Sequence, residues 1–316
     1  MSKYSQRPLD FDGLKTVPLA TRGGKVRVED FAAVYRPGSG LKGWLESLPR
    51  ILAGESFRAV VEALAHARDA GKPILWGLGG HVIKCGLAPV LIDLARRGYA
   101  TGFALNGAAA IHDFEIALCG HTSEDVAAAL ADGSFGVAEE TGREMHAAVA
   151  AGDKDGLGMG EALGRHLEQM GVEHPSVLAA AYQRNVPVTV HVAVGTDTTH
   201  VHPALDAAAL GRATHRDFRL FCALARGLDQ GGVYLNTGSA VLLPEVFLKA
   251  VSAVRNLGYS LRDFTTVNFD FLQPYRARVN VVERPHAGAG GRGLNLVGHH
   301  ELTLPLVAAV LCEMHP

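Results

Sequence analysis

The sequence predicts a doubly wound, mostly parallel α/β fold with a helical insertion. Three observations carry this. A short apolar run that ends in small or polar residues, followed by a helical pattern, occurs six times. Within the runs the apolar residues are continuous rather than alternating, as in strands covered on both faces. Between the second and third runs, apolar residues recur at three- and four-residue spacing throughout, which is helical.

Taken in order, residues 1–40 are polar and glycine-dotted and read as an arm over a single α/β domain spanning 41–316. Helical spacing at 43–48 and 56–70 precedes the first strand, 73–78, which runs into Gly79, Gly80 and His81 and a helix through Leu94. The second strand, 101–105, ends at Asn106, and the helix after it opens with Gly107, Ala108 and Ala109. The helical insertion covers about 120–185, with helices predicted over 122–131, 137–151, 159–171 and 175–184. The third strand is 186–194. The fourth, 232–235, leads through Asn236, Thr237, Gly238 and Ser239 into a helix ending near Val254. The fifth is 264–270. The sixth, 294–297, precedes Gly298, His299, His300, Glu301 and a last helix.

Composition limits the function classes. Of 316 residues, 48% are apolar, and 30 Lys+Arg face 32 Asp+Glu, so no basic excess exists to attract nucleic acid or an anionic membrane. The polar N-terminus lacks a secretory pattern, and no apolar run reaches the length of a membrane span. Cys85, Cys119, Cys222 and Cys312 are scattered without a CxxC pair. They read as small buried hydrophobes in a reducing, cytoplasmic setting.

In an open parallel sheet ligands bind beyond the carboxyl ends of the strands, and there this sequence gathers its polar residues. Asn106 is a good N-cap, and Gly107 to Ala110 leave backbone N–H groups accessible to an anion. His112 and Glu115 share the next face, with Asp113 beside them, a set suited to proton transfer. The glycines before His81 and Lys84 allow close backbone approach. Asp197, His200 and His202 follow the third strand, and cofactor hydroxyls or a metal could use them. Lys249 sits in an apolar helix, where burial would make its amine a base or nucleophile. Residues 287–293 form a glycine run that reads as a loop, over the site or on the surface.

Together and in this order, these junctions resemble the deoxyhypusine synthase family across residues 70–312. The resemblance is carried by Gly80 to Gly86, Asn106 to Ile116, Pro187 to Val190 with Thr196 and Asp197, Thr237 and Gly238, and Leu302 to Leu306. It implies a Rossmann-like fold, a homotetramer with NAD near subunit interfaces, and aminobutyl transfer from spermidine or a related polyamine through an imine on an enzyme lysine. Carried over by position, it gives NAD contacts to Gly80, His81, Lys84, Asn106, Gly107, Ala108, Ala109, Asp197, Thr237, Gly238, Ser239 and His299. His112 and Asp113 would bind and deprotonate the amine, standing where the family has two acidic residues.

The departures are specific. Leu243, Pro244 and Glu245 replace a glycine triplet, and Lys249 stands where the family has a histidine. No lysine follows Lys249, so the imine-forming segment is missing and the covalent role falls to Lys249, to other chemistry, or to none. Two rivals therefore stay open. One is an enzyme in which His81, His200, His202, His299 and His300 hold a metal; the other is a non-catalytic ligand-binding protein.

Overall fold

The computed structural model describes residues 2–314. All six predicted strands are present: β1 (Ile74–Leu78), β2 (Gly102–Asn106), β3 (Val188–His191), β4 (Val233–Thr237), β5 (Thr265–Asp270) and β6 (Arg292–Val297). They form one sheet in the order β3-β2-β1-β4-β5-β6, and every neighbouring pair is parallel. Trp76 of β1 is in register with Phe103 on one side and Leu235 on the other. β1 and β4 are buried along their full length, which is why their sequences run apolar without alternation.

The helices follow the predicted pattern with shifted ends. α1 (Gly40–Ser47) and α2 (Leu52–Asp69) precede β1; α3 (Gly80–Lys84) and α4 (Ala88–Arg96) link β1 to β2. Between β2 and β3 lie α5 (Gly107–Cys119), α6 (Val126–Asp132), α7 (Glu139–Lys154), α8 (Met159–Met170) and α9 (Val177–Gln183). α10 (Ala207–Arg226) and α11 (Leu242–Asn256) flank β4. One turn, α12 (Tyr275–Ala277), runs into a π-helix over Arg278–Glu283 before β6, and α13 (His300–Met314) closes the chain. Asn106, Asp125, Ser176 and Asp206 each cap the helix that follows by accepting from its free backbone N–H groups.

α2, α4 and α13 cover one face of the sheet; α10, α11 and the π-helix cover the other. The first layer buries Trp76, whose indole N–H donates to the Tyr99 carbonyl over 2.8 Å. The second stacks Tyr234 on Phe247 with ring centroids 3.9 Å apart. A fully buried side chain of this size stabilises the fold by about 1.5–3 kcal/mol, so both layers contribute heavily.

Two sequence expectations are corrected, and of the two placements open to the glycine run the chain takes the surface one, away from the strand tips. Gly290 and Gly291 pack on Asp263 and Phe264, at the amino edge of β5. None of the four cysteines is fully buried, and Cys119 is exposed. The third strand ends at His191, because the chain turns at the Ala193–Thr196 hydrogen bond. Residues 2–39 contribute no buried side chain. Among the described residues no helix is long and apolar enough to cross a membrane.

Candidate functional site

The strand order reverses between β1 and β4. The chain leaves β1 towards α4 on one face and leaves β4 towards α11 on the other, so the two tips flank a topological switch point. The tips are knitted tightly. Gly79 N–H donates to the Thr237 carbonyl over 2.9 Å, and a Cβ on Gly79 would lie 2.0 Å from the Gly238 carbonyl oxygen. Gly238 itself takes φ +71°, the left-handed region that glycine tolerates. The Asn236 amide donates to the Ser239 carbonyl (2.9 Å) and to Asn268 Oδ1 (2.8 Å), and Ser239 Oγ accepts from Leu243 N–H to start α11.

Three buried atoms here have no protein partner: Asn236 Oδ1, Thr237 Oγ1 and His300 Nδ1. Buried polar groups are nearly always paired, so these three are left to a water molecule or to the polar groups of a ligand. The His300 Nε2–H donates to the Phe269 carbonyl at 3.0 Å. Burial, outweighing that bond and nearby Asp270, lowers the His300 pKa and keeps the imidazole neutral. His299 is exposed and stacks on Phe271 with centroids 5.4 Å apart.

At the β2 tip Asn106 caps α5 as expected, accepting from Ala109 N–H at 2.8 Å. The Asp197 carboxylate crowds Gly107, the first residue of α5. A Cβ on Gly107 would lie 2.1 Å from Asp197 Oδ2. Burial raises the Asp197 pKa, opposed by the Ala193 N–H bond and by His200, whose Nε2 is 3.9 Å away.

Beside α5 opens a cavity of about 1000 Å³, walled by the outer face of α5, the 121–138 segment and the start of α7. Lys84, His112, Glu115, Thr122, Thr141 and Thr198 line it. Glu115 accepts from Thr122 Oγ1 and, at 3.1 Å, from Thr141 Oγ1. The Thr122 hydroxyl has one hydrogen, which goes to Glu115, so its oxygen accepts from His112 Nδ1 over 2.7 Å. Within the neutral imidazole that chain selects the Nδ1–H tautomer, whose Nε2 is an acceptor for a substrate proton. Burial pushes the Glu115 pKa up, but bonds from His112, Thr122 and Thr141 outweigh it, and the net value lies below the ordinary one. Glu115 is therefore an anion at neutral pH. The lining carries Glu115, Glu124, Glu140 and Glu144 against Lys84 and Arg143, an acidic balance.

The cavity and the switch point share α3. A Cβ on Gly80, at its start, would lie 3.2 Å from His112 Cδ2. Lys84, at its other end, lines the cavity about 6 Å further along the axis.

Other sequence-selected residues lie elsewhere. Asp113 is fully buried and accepts from Ser176 Oγ (2.6 Å), Val177 N–H (2.8 Å) and Leu178 N–H (2.9 Å), so it anchors the start of α9 rather than facing the cavity. Lys249 is not buried. Its side chain is 60% exposed and pairs with Glu245 one turn back, because α11 turns its apolar stripe to the sheet and leaves 245 and 249 outside. The histidines divide in two groups. His200 and His202 sit by Asp197, His146 and Glu139, whereas His81, His299 and His300 gather around Phe271. Sequence reasoning missed Asp217, whose Oδ2 accepts from Gly160 N–H (2.9 Å) and Val190 N–H (2.7 Å), tying α8 to β3. Its signal was a lone acid on the apolar stripe of α10, in line with Leu210, Ala213 and Phe221.

No family model and no curated protein matches the chain. Among solved structures it is similar to a conserved LOR/SDH protein from Methanococcus maripaludis S2, with TM-score 0.54 and 15% identity over 84% of this chain and 71% of that one. It is also similar to AgrE, solved as a ternary complex with ornithine and NAD+, with TM-score 0.53 and 18% identity over 85% of this chain. The chain spans about a third of AgrE, 35% of its length. A deoxyhypusine synthase-type protein from Entamoeba histolytica aligns over 88% of this chain and 95% of its own at TM-score 0.48 and 10% identity, too loose to bear on function. At these identities the shared property is the Rossmann-like fold.

Proposed function

We propose that the protein is an NAD-dependent enzyme acting on an amine, with the dinucleotide across the β1/β4 switch point and the amine in the cavity beside α5. The observation that carries this reading is the shared wall. α3 begins at the switch point against His112 and ends in the cavity with Lys84, so a cofactor at one can meet a substrate at the other. The three unpartnered atoms at the tips fit a polar ligand, and Gly79, Gly80, Thr237, Gly238 and Ser239 would hold it. AgrE, which shares the fold, is known with NAD+ and ornithine bound, and ornithine carries two amines.

NAD, when bound, would supply hydride acceptance from the carbon beside the amine. The chain's own residues do the rest. The acidic lining attracts a polycation, ionised Glu115 anchors an ammonium group, and His112 Nε2 takes the proton released as the amine becomes an imine. The finer reading is aminobutyl transfer from spermidine in the manner of the deoxyhypusine synthase family, as a cytoplasmic homotetramer. In this reading Lys84, which lines the cavity, is the candidate to accept the carbon chain, and Lys249, which lies outside it and pairs with Glu245, is not.

Calorimetric titration with NAD, then addition of spermidine while reduced cofactor is followed by absorbance, tests the proposal. Saturable NAD binding and cofactor reduction are expected. Glu115→Gln should bind NAD unchanged and slow reduction by roughly 10²-fold. Absence of heat and of any thermal shift at millimolar NAD would remove the reading.

A further inference from the structure

His81, Cys85 and Glu301 converge where α3 meets the first turn of α13. The His81 Nε2 to Cys85 Sγ distance is 3.3 Å, and Cys85 Sγ to Glu301 Oε2 is 3.6 Å. Among the described residues this is the one group of three or more His, Cys, Asp or Glu side chains whose ligand atoms all lie within 4.8 Å of one another. The spacing is informative. A tetrahedral zinc with a sulfur bond of about 2.3 Å and nitrogen or oxygen bonds of about 2.0–2.1 Å puts the sulfur about 3.5–3.6 Å from each of the other two ligand atoms. The two distances here already lie within a few tenths of an ångström of that.

The group is not a surface acidic cluster, for it holds one carboxylate, one thiol and one imidazole. Its ligands come from segments 216 residues apart in sequence, and the scaffold holds them. His81 lies on α3 and Cys85, the residue that caps the end of α3, stands four residues on, and the His81 ring is braced edge-on by Phe271 (5.5 Å) and by buried His300 (5.7 Å). The His300 Nδ1 has no protein partner. None of the three ligands belongs to the His112–Thr122–Glu115 chain.

We propose that His81, Cys85 and Glu301 bind a divalent zinc-class cation at the carboxyl edge of the sheet, with a fourth position open to water or a substrate oxygen. Mixed S, N and O donors select zinc or cobalt over magnesium or calcium, which take oxygen ligands. Three protein ligands with an exchangeable fourth are the pattern of a reactive rather than a purely structural site.

Titration of the full chain with cobalt(II), without any dinucleotide, tests this separately from the proposed function. A thiolate-to-cobalt charge-transfer band saturating at one equivalent is expected. Cys85→Ser should abolish it, and Cys119→Ser, which alters an exposed thiol elsewhere, should keep it. In zinc competition, Glu301→Gln should lose at least the about 10–100-fold in affinity that even a supporting group costs. Circular dichroism checks that each variant is folded, which these partly exposed positions favour. Absence of the band, or its survival in folded Cys85→Ser, overturns the proposal.

Discussion

Asp217 shows how a single buried carboxyl ties fold to pH. It sits in the apolar interface of α10, α8 and β3, with one oxygen accepting two backbone N–H groups and Oδ1 unpaired. Burial, outweighing those bonds, pushes its pKa up from 3.8 to about 7. The folded chain therefore holds this proton more tightly than the unfolded chain. Stability from Asp217 is fully present below about pH 4, falls as pH rises, and is lost above about pH 7, a difference on the order of 1–4 kcal/mol. Urea midpoints across that window should fall for the native protein and stay flatter for Asp217→Asn, which keeps an acceptor but cannot ionise. Equal slopes for the two would count against the raised pKa. Lys249 gives the opposite expectation. Its exposed pair with Glu245 is worth about 0.3–0.5 kcal/mol, so Lys249→Ala should shift stability by no more and leave NAD and amine turnover unchanged. A large loss of turnover would restore the imine role read from the sequence. The two residues also show what one-dimensional reading resolves. Each is a charged residue within an amphipathic helical pattern, and only the exact phase of the stripe decides which is inside.

At the scale of elements, the strands and most helices were legible because burial on both faces and 3.6-residue spacing are local properties of sequence. The long-range partners of helix residues were not, because pairings such as Asp113 of α5 with Ser176 at the start of α9 span 63 residues. Asp113 and His112 are adjacent in sequence, and that adjacency suggested a joint catalytic role. Consecutive helical residues point about 100° apart, so one faces the cavity and the other the core. Asp113→Ala would strand a buried hydroxyl and two backbone N–H groups at the start of α9, with an expected loss of about 3–5 kcal/mol by urea unfolding. Asp113→Asn should lose less, since it keeps one acceptor oxygen. The start of α5 offers a coupled test. Gly107→Ala places a Cβ on the Asp197 carboxylate and should cost about 1–3 kcal/mol. Asp197→Ala in the same chain should recover most of that loss, and a double-mutant cycle reads the coupling directly. Strictly additive losses would mean that Asp197 does not pack against Gly107.

For the whole molecule, the arm and the domain have opposite surface character. Eleven large hydrophobic side chains between Tyr4 and Tyr35 are exposed, while the sheet and its two helical layers bury nearly all of theirs. The arm meets the domain through backbone bonds near its end, from Arg50 N–H to the Asp30 carbonyl and from Ala33 N–H to the Ser47 carbonyl. Such a density of apolar surface outside the core is what a second copy of the chain would cover. The sequence signalled the arm through its lack of periodicity, but periodicity cannot report what a non-periodic segment lies against. A chain lacking residues 1–25 keeps both of those backbone bonds and the entire sheet. It should therefore unfold at nearly the native temperature. If the arm bridges copies, sedimentation at equal concentration should give a smaller particle for the shortened chain than for the full one. Equal particle masses would mean that any assembly is built by the α/β body alone, with the arm outside it.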